Sequence, residues 1–349
     1  MLTHYATEGR AMQAIRLHEL EGPSGLRYEE VDEPEPSSGE VVVRLQAAAL
    51  NRRDLFATNG QYPGVKQDIL PAIPGSDGSG EVAAKGDGAD GPEEGQEVVI
   101  HPSLYWGDNP RVPGKEYRIL GLPDDGTFAQ FAKVPAENIS PKPSHLSHEE
   151  AAALPLAALT AYRALVSRGG LQEGETVVIP GVGGGVATFL VQIASAIGAN
   201  VYVTSSSDEK IETAKELGAE GGVNYNSDDW SKELKSMAGG VDLSIDSIGG
   251  DVFNNLISLA KPGGRIVVFG STAGPAPKVM TIMAALKHLD IMGTAMGTAE
   301  EFGAMLDLYA EHGLKPKINE TFALEDAADA LNQMEQGEGM GKIVLDIPS

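Results

Sequence analysis

A chain of 349 residues exceeds the roughly 150 residues that one average core organises, so two domains are expected. With 26 basic against 50 acidic residues and a net charge of −24, it repels phosphate backbones and anionic lipid, which makes nucleic acid and membrane poor partners. It contains no cysteine, which excludes disulfides, cysteine nucleophiles, iron–sulfur ligation and thiolate zinc sites, and points to the reducing cytoplasm. The acid excess suits either a protein of a salty cytoplasm or an ordinary acidic soluble one. No run of about 18 apolar residues is present to span a membrane. Met1–Arg10 lacks the apolar stretch of a secretory signal.

The first half is rich in short strands and turns. Val41-Val42-Val43-Arg44-Leu45-Gln46-Ala47 alternates partly, as a half-buried strand does, and turn clusters at 34–39 and 86–95 break up the region. Glu97–Ile100 and Thr127–Val134 are further predicted strands, so an irregular β domain runs to about residue 135. A loop rich in proline and glycine, Pro102–Pro123, interrupts it, and loops of that length often serve as lids or binding walls. Tyr105 and Trp106 on this loop either wall a pocket or only pack it.

The rhythm changes at Ser147-His148-Glu149-Glu150, a capping box whose following Ala/Leu run predicts a helix. From Thr176 onward, short apolar runs alternate with amphipathic helices. Strands are predicted at Thr176–Pro180, Asn200–Ser205, Gly222–Tyr225, Val241–Ile248, Gly264–Gly270 and Asp290–Gly297. Between them lie helices Glu209–Leu217, opened by a second box at Ser206-Ser207-Asp208-Glu209, and Val252–Leu259, stopped by Pro262-Gly263-Gly264. Strands joined by helical crossovers predict a doubly wound parallel sheet. Helices Glu300–His312 and Glu325–Gln336 and the strand Gly341–Ile347 are expected to return to the β domain.

The sharpest site is Pro180-Gly181-Val182-Gly183-Gly184-Gly185-Val186-Ala187, between the first strand of that sheet and its helix. Glycines let the backbone approach a pyrophosphate, and a helix N-terminus offers free N–H groups and partial positive charge. The match to G-x-G-x-x-G is imperfect, and a tight turn is the bland alternative; the strand–turn–helix setting favours a dinucleotide. Roughly 20 residues further on, an NAD enzyme places an acid on the ribose hydroxyls. Here Val201-Tyr202-Val203-Thr204-Ser205-Ser206-Ser207 offers none before Asp208. Hydroxyls followed by Lys210 suit a 2′-phosphate, so NADP(H) is the expected cofactor, although Lys210 could be a solvated helix residue and Ser206 a cap.

On Ala49-Leu50-Asn51-Arg52-Arg53-Asp54, Ile73-Pro74-Gly75-Ser76-Asp77-Gly78, Leu159-Thr160-Ala161-Tyr162-Arg163-Ala164-Leu165, the glycine turn and Gly341-Lys342-Ile343-Val344-Leu345, the chain resembles the medium-chain dehydrogenase/reductase superfamily, in its zinc-free branch similar to quinone oxidoreductases. The resemblance spans Met12 to Ile347 and implies an α/β protein of two domains. These are a GroES-like β-rich catalytic domain, residues 1–150 with 299–349 returning to it, and a Rossmann doubly wound parallel sheet over 151–298. It also implies a homodimer or homotetramer, often paired through the last Rossmann strands. Carried over by motif position, Asn51 and Thr160 lie near the nicotinamide and ribose, and Gly184, Gly185, Val186 and Ala187 face the pyrophosphate. Ser206, Lys210 and Tyr225 hold the 2′-phosphate, and Ser247 borders the adenosine or ribose side. Tyr62 resembles an active-site tyrosine of quinone reductases, donating to a carbonyl or simply packing.

Where zinc-dependent members of the superfamily carry a cysteine and a histidine, this chain has Arg52 and Ser76, neither a good ligand. The four-cysteine structural lobe has no counterpart, and Val182 and Ala187 replace two glycines of the family turn. His145-x-x-His148 straddles a helix cap and lacks further ligands, and His101 stands alone as a soft donor, so no metal is expected. Asp54 and Asp77 form either a structural or an acid–base carboxylate pair. The resulting expectation is hydride transfer from NADPH to a small electrophile, a quinone or an α,β-unsaturated carbonyl. The rivals are a zinc-free alcohol or aldehyde oxidoreductase, and a nucleotide-binding sensor or structural protein of low turnover.

Overall fold

The computed structural model describes residues 10–349, so the reading of the extreme N-terminus lies, but for Arg10, outside the described residues. Two units are present. The first runs to Pro155 and takes in Glu320–Glu338 and Lys342–Ser349; the second comprises Leu156–Asn319 and Gly339–Gly341.

The spine of the first unit is the strand Glu40–Ala49, longer than predicted, which pairs antiparallel with Asp77–Lys85, Phe131–Pro135 and Lys342–Asp346. Only Arg44 and Gln46 of it are exposed, so it is buried on both faces rather than half-buried. Its small end, Ala47-Ala48-Ala49, leaves room for the short helix His148–Ala152, and the other side faces a core of Val41, Val43, Leu45, Ile100, Phe128 and Leu331. The strands Glu97–Ile100 and Ile139–Pro141 extend the sheet. The Pro102–Pro123 loop closes on itself: Ser103–Leu104 pairs with Arg118–Ile119, and the indole N–H of buried Trp106 donates to Asn109 O at 3.0 Å. Trp106 therefore packs its own loop, while Tyr105 is exposed beneath the Arg118 guanidinium.

Six parallel strands make the sheet of the second unit, in the spatial order Gly221–Asn224, Asn200–Ser205, Thr176–Ile179, Val241–Asp246, Ala260–Val268, Asp290–Gly293. In chain order that is 3-2-1-4-5-6, the Rossmann arrangement, with its switch point between Thr176–Ile179 and Val241–Asp246.

Several expectations need correction. The capping box at Ser147 is present, but its helix stops at Ala152 because Pro155 cannot continue it; a new helix, Pro155–Tyr162, follows and widens into a π-helical turn, Arg163–Arg168. The units part at Pro155 rather than 150. Helix Ala299–His312 does not return to the β unit. It buries Phe302, Met305, Leu306 and Tyr309 in the second unit, where the Tyr309 ring meets Phe189 edge-on, and the chain re-enters the first unit only at Glu320. The second predicted box does not form: Ser207 rather than Ser206 is the cap, its hydroxyl accepts from Lys210 N–H at 3.3 Å, and Glu209 closes no box with it.

Candidate functional site

In the second unit the strand Thr176–Ile179 leads through the glycine turn into helix Gly185–Ile197, whose N-cap is Gly184. With no side chain at the cap, the first-turn N–H groups of Gly185, Val186 and Ala187 are left for a ligand, since an α-helix cannot satisfy them itself. Gly181 has φ +71°, and a Cβ there would stand 2.6 Å from Ile248 Cδ1. Gly183 has φ +152°. The turn is fastened by bonds the sequence does not announce: Gly181 N–H donates to Thr204 Oγ1 at 3.1 Å and Val182 N–H to Thr204 O at 2.7 Å. Ser205 Oγ donates to Val182 O at 3.2 Å, and Gly341 N–H to Gly183 O at 3.2 Å.

Lys210 reaches this turn. A Cβ built on Gly183 would lie 3.2 Å from Lys210 Cδ and 3.4 Å from its Nζ, so the ammonium lies over the backbone of the glycine turn. Ser206 is exposed at the end of Asn200–Ser205, and Tyr225, also exposed, follows the neighbouring strand and donates its N–H to Ser205 O at 2.9 Å. Ser206, Lys210 and Tyr225 thus gather at the ends of adjacent strands, with hydroxyls and an amine where NAD enzymes keep an acid. Ser247 lies across the switch point, after Val241–Asp246. Its turn is built by buried Asp246, whose Oδ1 accepts from Ile248 N at 2.8 Å and Gly249 N at 3.1 Å. Burial pushes the Asp246 carboxyl upward against those two bonds. Thr160 is buried on helix Pro155–Tyr162, its hydroxyl bonded back to Leu156 O at 2.8 Å, which leaves its lone pairs as acceptors. This strand–turn–helix edge fits a dinucleotide.

The first unit holds a buried polar network. Asn51 caps helix Arg52–Thr58 in a box with Asp54, whose Oδ2 accepts the Asn51 N–H at 2.7 Å. The Asn51 amide donates to Asp77 Oδ2 at 2.9 Å, and Lys342 Nζ donates to Asn51 Oδ1 at 2.8 Å, Asp77 Oδ2 at 3.0 Å and Leu50 O at 2.7 Å. Burial pushes the Asp54 carboxyl up to about 6, against Arg53, the Asn51 N–H and Lys342. Both carboxylates hold Asn51, Asp54 through its backbone N–H and Asp77 through its side-chain amide.

Arg53 is the other hub. Its guanidinium donates to Ser76 Oγ at 3.2 Å and to four carbonyls, Ile119, Leu120, Gly121 and Leu122, at 2.5–3.3 Å. The same group lies 4.6 Å from the centre of the Tyr62 ring. Tyr62 is half-buried against Leu17, Ala57, Val65, Ala72 and Leu122. Arg52, by contrast, is exposed and turned to Met334 O, while the other residues of that motif, Asn51 and Arg53 among them, are buried. Motif resemblance assigns no role to Arg53 or Lys342, and the structure makes both of them hubs. Lys342 opens the apolar run Ile343-Val344-Leu345, and a charge in a buried strand has to be paired, which is the signal the sequence offers.

Zinc does not fit this set. Ser76 Oγ already donates to Leu120 O at 2.7 Å and accepts from the Arg53 guanidinium, a cation that cannot ligate a metal. Among the described residues no group of three or more His, Asp or Glu is placed to hold a metal. His148 is engaged by Ser79 Oγ at 2.9 Å and Glu97 Oε1 at 3.2 Å, and buried His101 packs beside Asn138. No helix among the described residues is long and apolar enough to cross a membrane.

Comparison with known proteins agrees with both units. Residues 37–144 match the family described as alcohol dehydrogenase GroES-like domain, and residues 185–311 that described as zinc-binding dehydrogenase. The chain is 37% identical over 345 residues to a zinc-type alcohol dehydrogenase-like protein, YogA, of Leptosphaeria maculans, covering 92% of this chain and 94% of that one. It is 29% identical to the quinone oxidoreductase of Mus musculus, covering 97% and 99%. Among solved structures, an NAD-dependent alcohol dehydrogenase superposes with a TM-score of 0.91 at 36% identity, covering 97% and 100%. A 2-octenoyl-CoA carboxylase reductase in complex with NADP and 2-octenoyl-CoA superposes with a TM-score of 0.87 at 25% identity, covering 97% and 88%.

Proposed function

The chain belongs to the medium-chain dehydrogenase/reductase superfamily, and on that premise we propose a zinc-independent, NADPH-dependent reductase acting on a quinone or an α,β-unsaturated carbonyl. The observation that carries the proposal is the Lys210 amine laid over Gly183, beside a strand end that carries hydroxyls and meets its first acid only at Asp208. NADPH, when bound, supplies a hydride from C4 of its nicotinamide. The N–H groups of Gly185, Val186 and Ala187 bind its pyrophosphate, with Gly184 leaving them uncovered. Ser206, Lys210 and Tyr225 take the 2′-phosphate, Ser247 borders the adenosine or ribose side, and Thr160 and Asn51 take the ribose and nicotinamide end.

On the acceptor side the proposed site offers hydrogen bonds, and Arg52 and Ser76 are poor ligands for a Lewis-acid metal. Quinones and enals suit it, because conjugation spreads the developing negative charge onto an oxygen that one or two donors can hold. Tyr62 is the proposed donor, its ring steadied by the Arg53 guanidinium. Asn51, bonded by both Asp77 and Lys342, is held in one orientation. A chain without cysteine suits a reducing compartment such as the cytoplasm.

The test is NADPH oxidation with ortho-quinones and enals, run with and without chelator, beside ethanol oxidation with NADP⁺. Turnover on the first panel, indifferent to chelator, is expected. Tyr62→Phe should lower kcat about 100-fold, the scale of one well-placed donor, and leave NADPH affinity intact. Efficient ethanol oxidation with silence on quinones and enals would overturn the reaction class.

Cofactor choice has its own measurement. NADPH should bind more tightly than NADH, and Lys210→Ala should narrow the gap by about 1–2 kcal/mol, the scale of a charge-assisted contact. Equal affinities in the parent would count against the phosphate site.

We also propose a homodimer or homotetramer paired through Asp290–Gly293. That strand is the edge of the sheet, with Ile291 45% exposed and, on the helix Thr281–Leu286 before it, Ile282 67% and Leu286 68% exposed. Sedimentation should find a dimer or tetramer that Ile291→Lys dissociates. A monomeric parent would sink this.

A further inference from the structure

Asp208 is the first acid after the strand Asn200–Ser205, and it opens the helix that carries Lys210. An unrestrained carboxylate there could accept from the hydroxyls of an unphosphorylated ribose and would repel a 2′-phosphate. In this protein the carboxylate is held. Asn224, the last residue of Gly221–Asn224, donates its side-chain amide to Asp208 Oδ1 at 2.9 Å and to Ser206 O at 3.3 Å. Asn226 braces the same corner, donating its side-chain amide to Ser206 O at 3.1 Å and its N–H to Asn224 Oδ1 at 3.0 Å. Two asparagines from the neighbouring strand end therefore set the course of Ser206-Ser207-Asp208 and fix where the acid lies.

We propose that Asn224 is a specificity-determining residue, which selects the 2′-phosphorylated cofactor by restraining the Asp208 carboxylate and so leaving Ser206 and Lys210 to meet the phosphate. This rests on the NADPH preference proposed above. The amide does not touch the cofactor in this scheme; it acts through the acid. Its removal should shift the choice of cofactor only while Asp208 remains a carboxylate. A bond that merely tied two strand ends together would not have that dependence. Asp208 is exposed and Asn224 half-exposed, and the backbone pairing of Ser205 with Asn224 needs neither side chain, so the variants keep the sheet.

The experiment is calorimetric titration of NADPH and NADH into the parent protein, Asn224→Ala, Asp208→Ala and the double variant. Asn224→Ala should lower the ratio of NADPH to NADH affinity about tenfold, the weight of one charge-assisted contact. The double variant should return to the parent ratio or above it. An unchanged ratio in Asn224→Ala overturns the proposal. So does a fall that Asp208→Ala fails to reverse, since Asn224 would then act without the acid. A parent that binds both cofactors equally is a different failure: it removes the NADPH reading itself, and the role of Asn224 with it.

Discussion

Lys342→Met is expected to destabilise the first unit by about 3–5 kcal/mol, the cost of leaving a buried charge without its partner. Lys342 and Asp77 are both fully enclosed, and Lys342 Nζ has three acceptors, Leu50 O, Asn51 Oδ1 and Asp77 Oδ2. Methionine fills a similar volume, so the loss is electrostatic and not a cavity. It strands Asp77, which keeps the Asn51 amide and loses its cation, and it releases Asn51 from one side. Pairing the change with Asp77→Asn should recover much of the loss, because replacing both members of a buried ion pair is far less costly than removing one. Urea unfolding of the single and double variants checks this. A loss below about 1 kcal/mol in Lys342→Met would mean that Asp77 is solvated or protonated without it.

Gly183→Val is expected to weaken NADPH binding by about 100-fold, roughly 3 kcal/mol, through the loss of pyrophosphate contacts to backbone N–H groups. The φ of +152° resists a β-branched residue, and a side chain at that position would press on Lys210 Cδ and Nζ. Two effects coincide: the turn loses its close approach, and the ammonium is pushed from the backbone it covers. The apo protein should lose only about 1–2 kcal/mol, the usual cost of local backbone strain. Thermal unfolding with and without NADPH separates the two, since a ligand raises the melting temperature only through the folded state it binds. A stabilisation by NADPH equal to that of the parent would remove the glycine turn from the cofactor site.

Much of the second unit was legible because its signals are local. A short apolar strand, a run of glycines and an amphipathic helix lie within a few turns of chain, and their order predicts a parallel sheet. The same locality misled at Ser206. Both Ser206 and Ser207 can cap a helix, and the choice fell to Asn224 and Asn226, side chains at and just past the end of another strand that take up the Ser206 carbonyl. At Asn51-Arg52-Arg53 the spacing could not say which residues face inward, because a helix start turns about 100° per residue and the direction of entry is set by packing. The structure turns Arg52 outward and buries its neighbours. Helix Ala299–His312 carries an ordinary amphipathic pattern, which specifies an apolar face without naming the core that receives it.

The sequence by itself determined the class of fold, the strand–turn–helix edge for a dinucleotide and the absence of thiolate chemistry, all of which follow from residue identity or from contacts within a few positions. Tertiary structure alone decided the partners of the buried charges. Asp77 meets Lys342 across 265 residues of chain, and Arg53 finds its acceptors on carbonyls more than 60 residues away. A buried charge must be paired somewhere, and that demand is legible in one dimension. Its partner is chosen by which strands and loops pack together, and that choice exists only once the chain has folded.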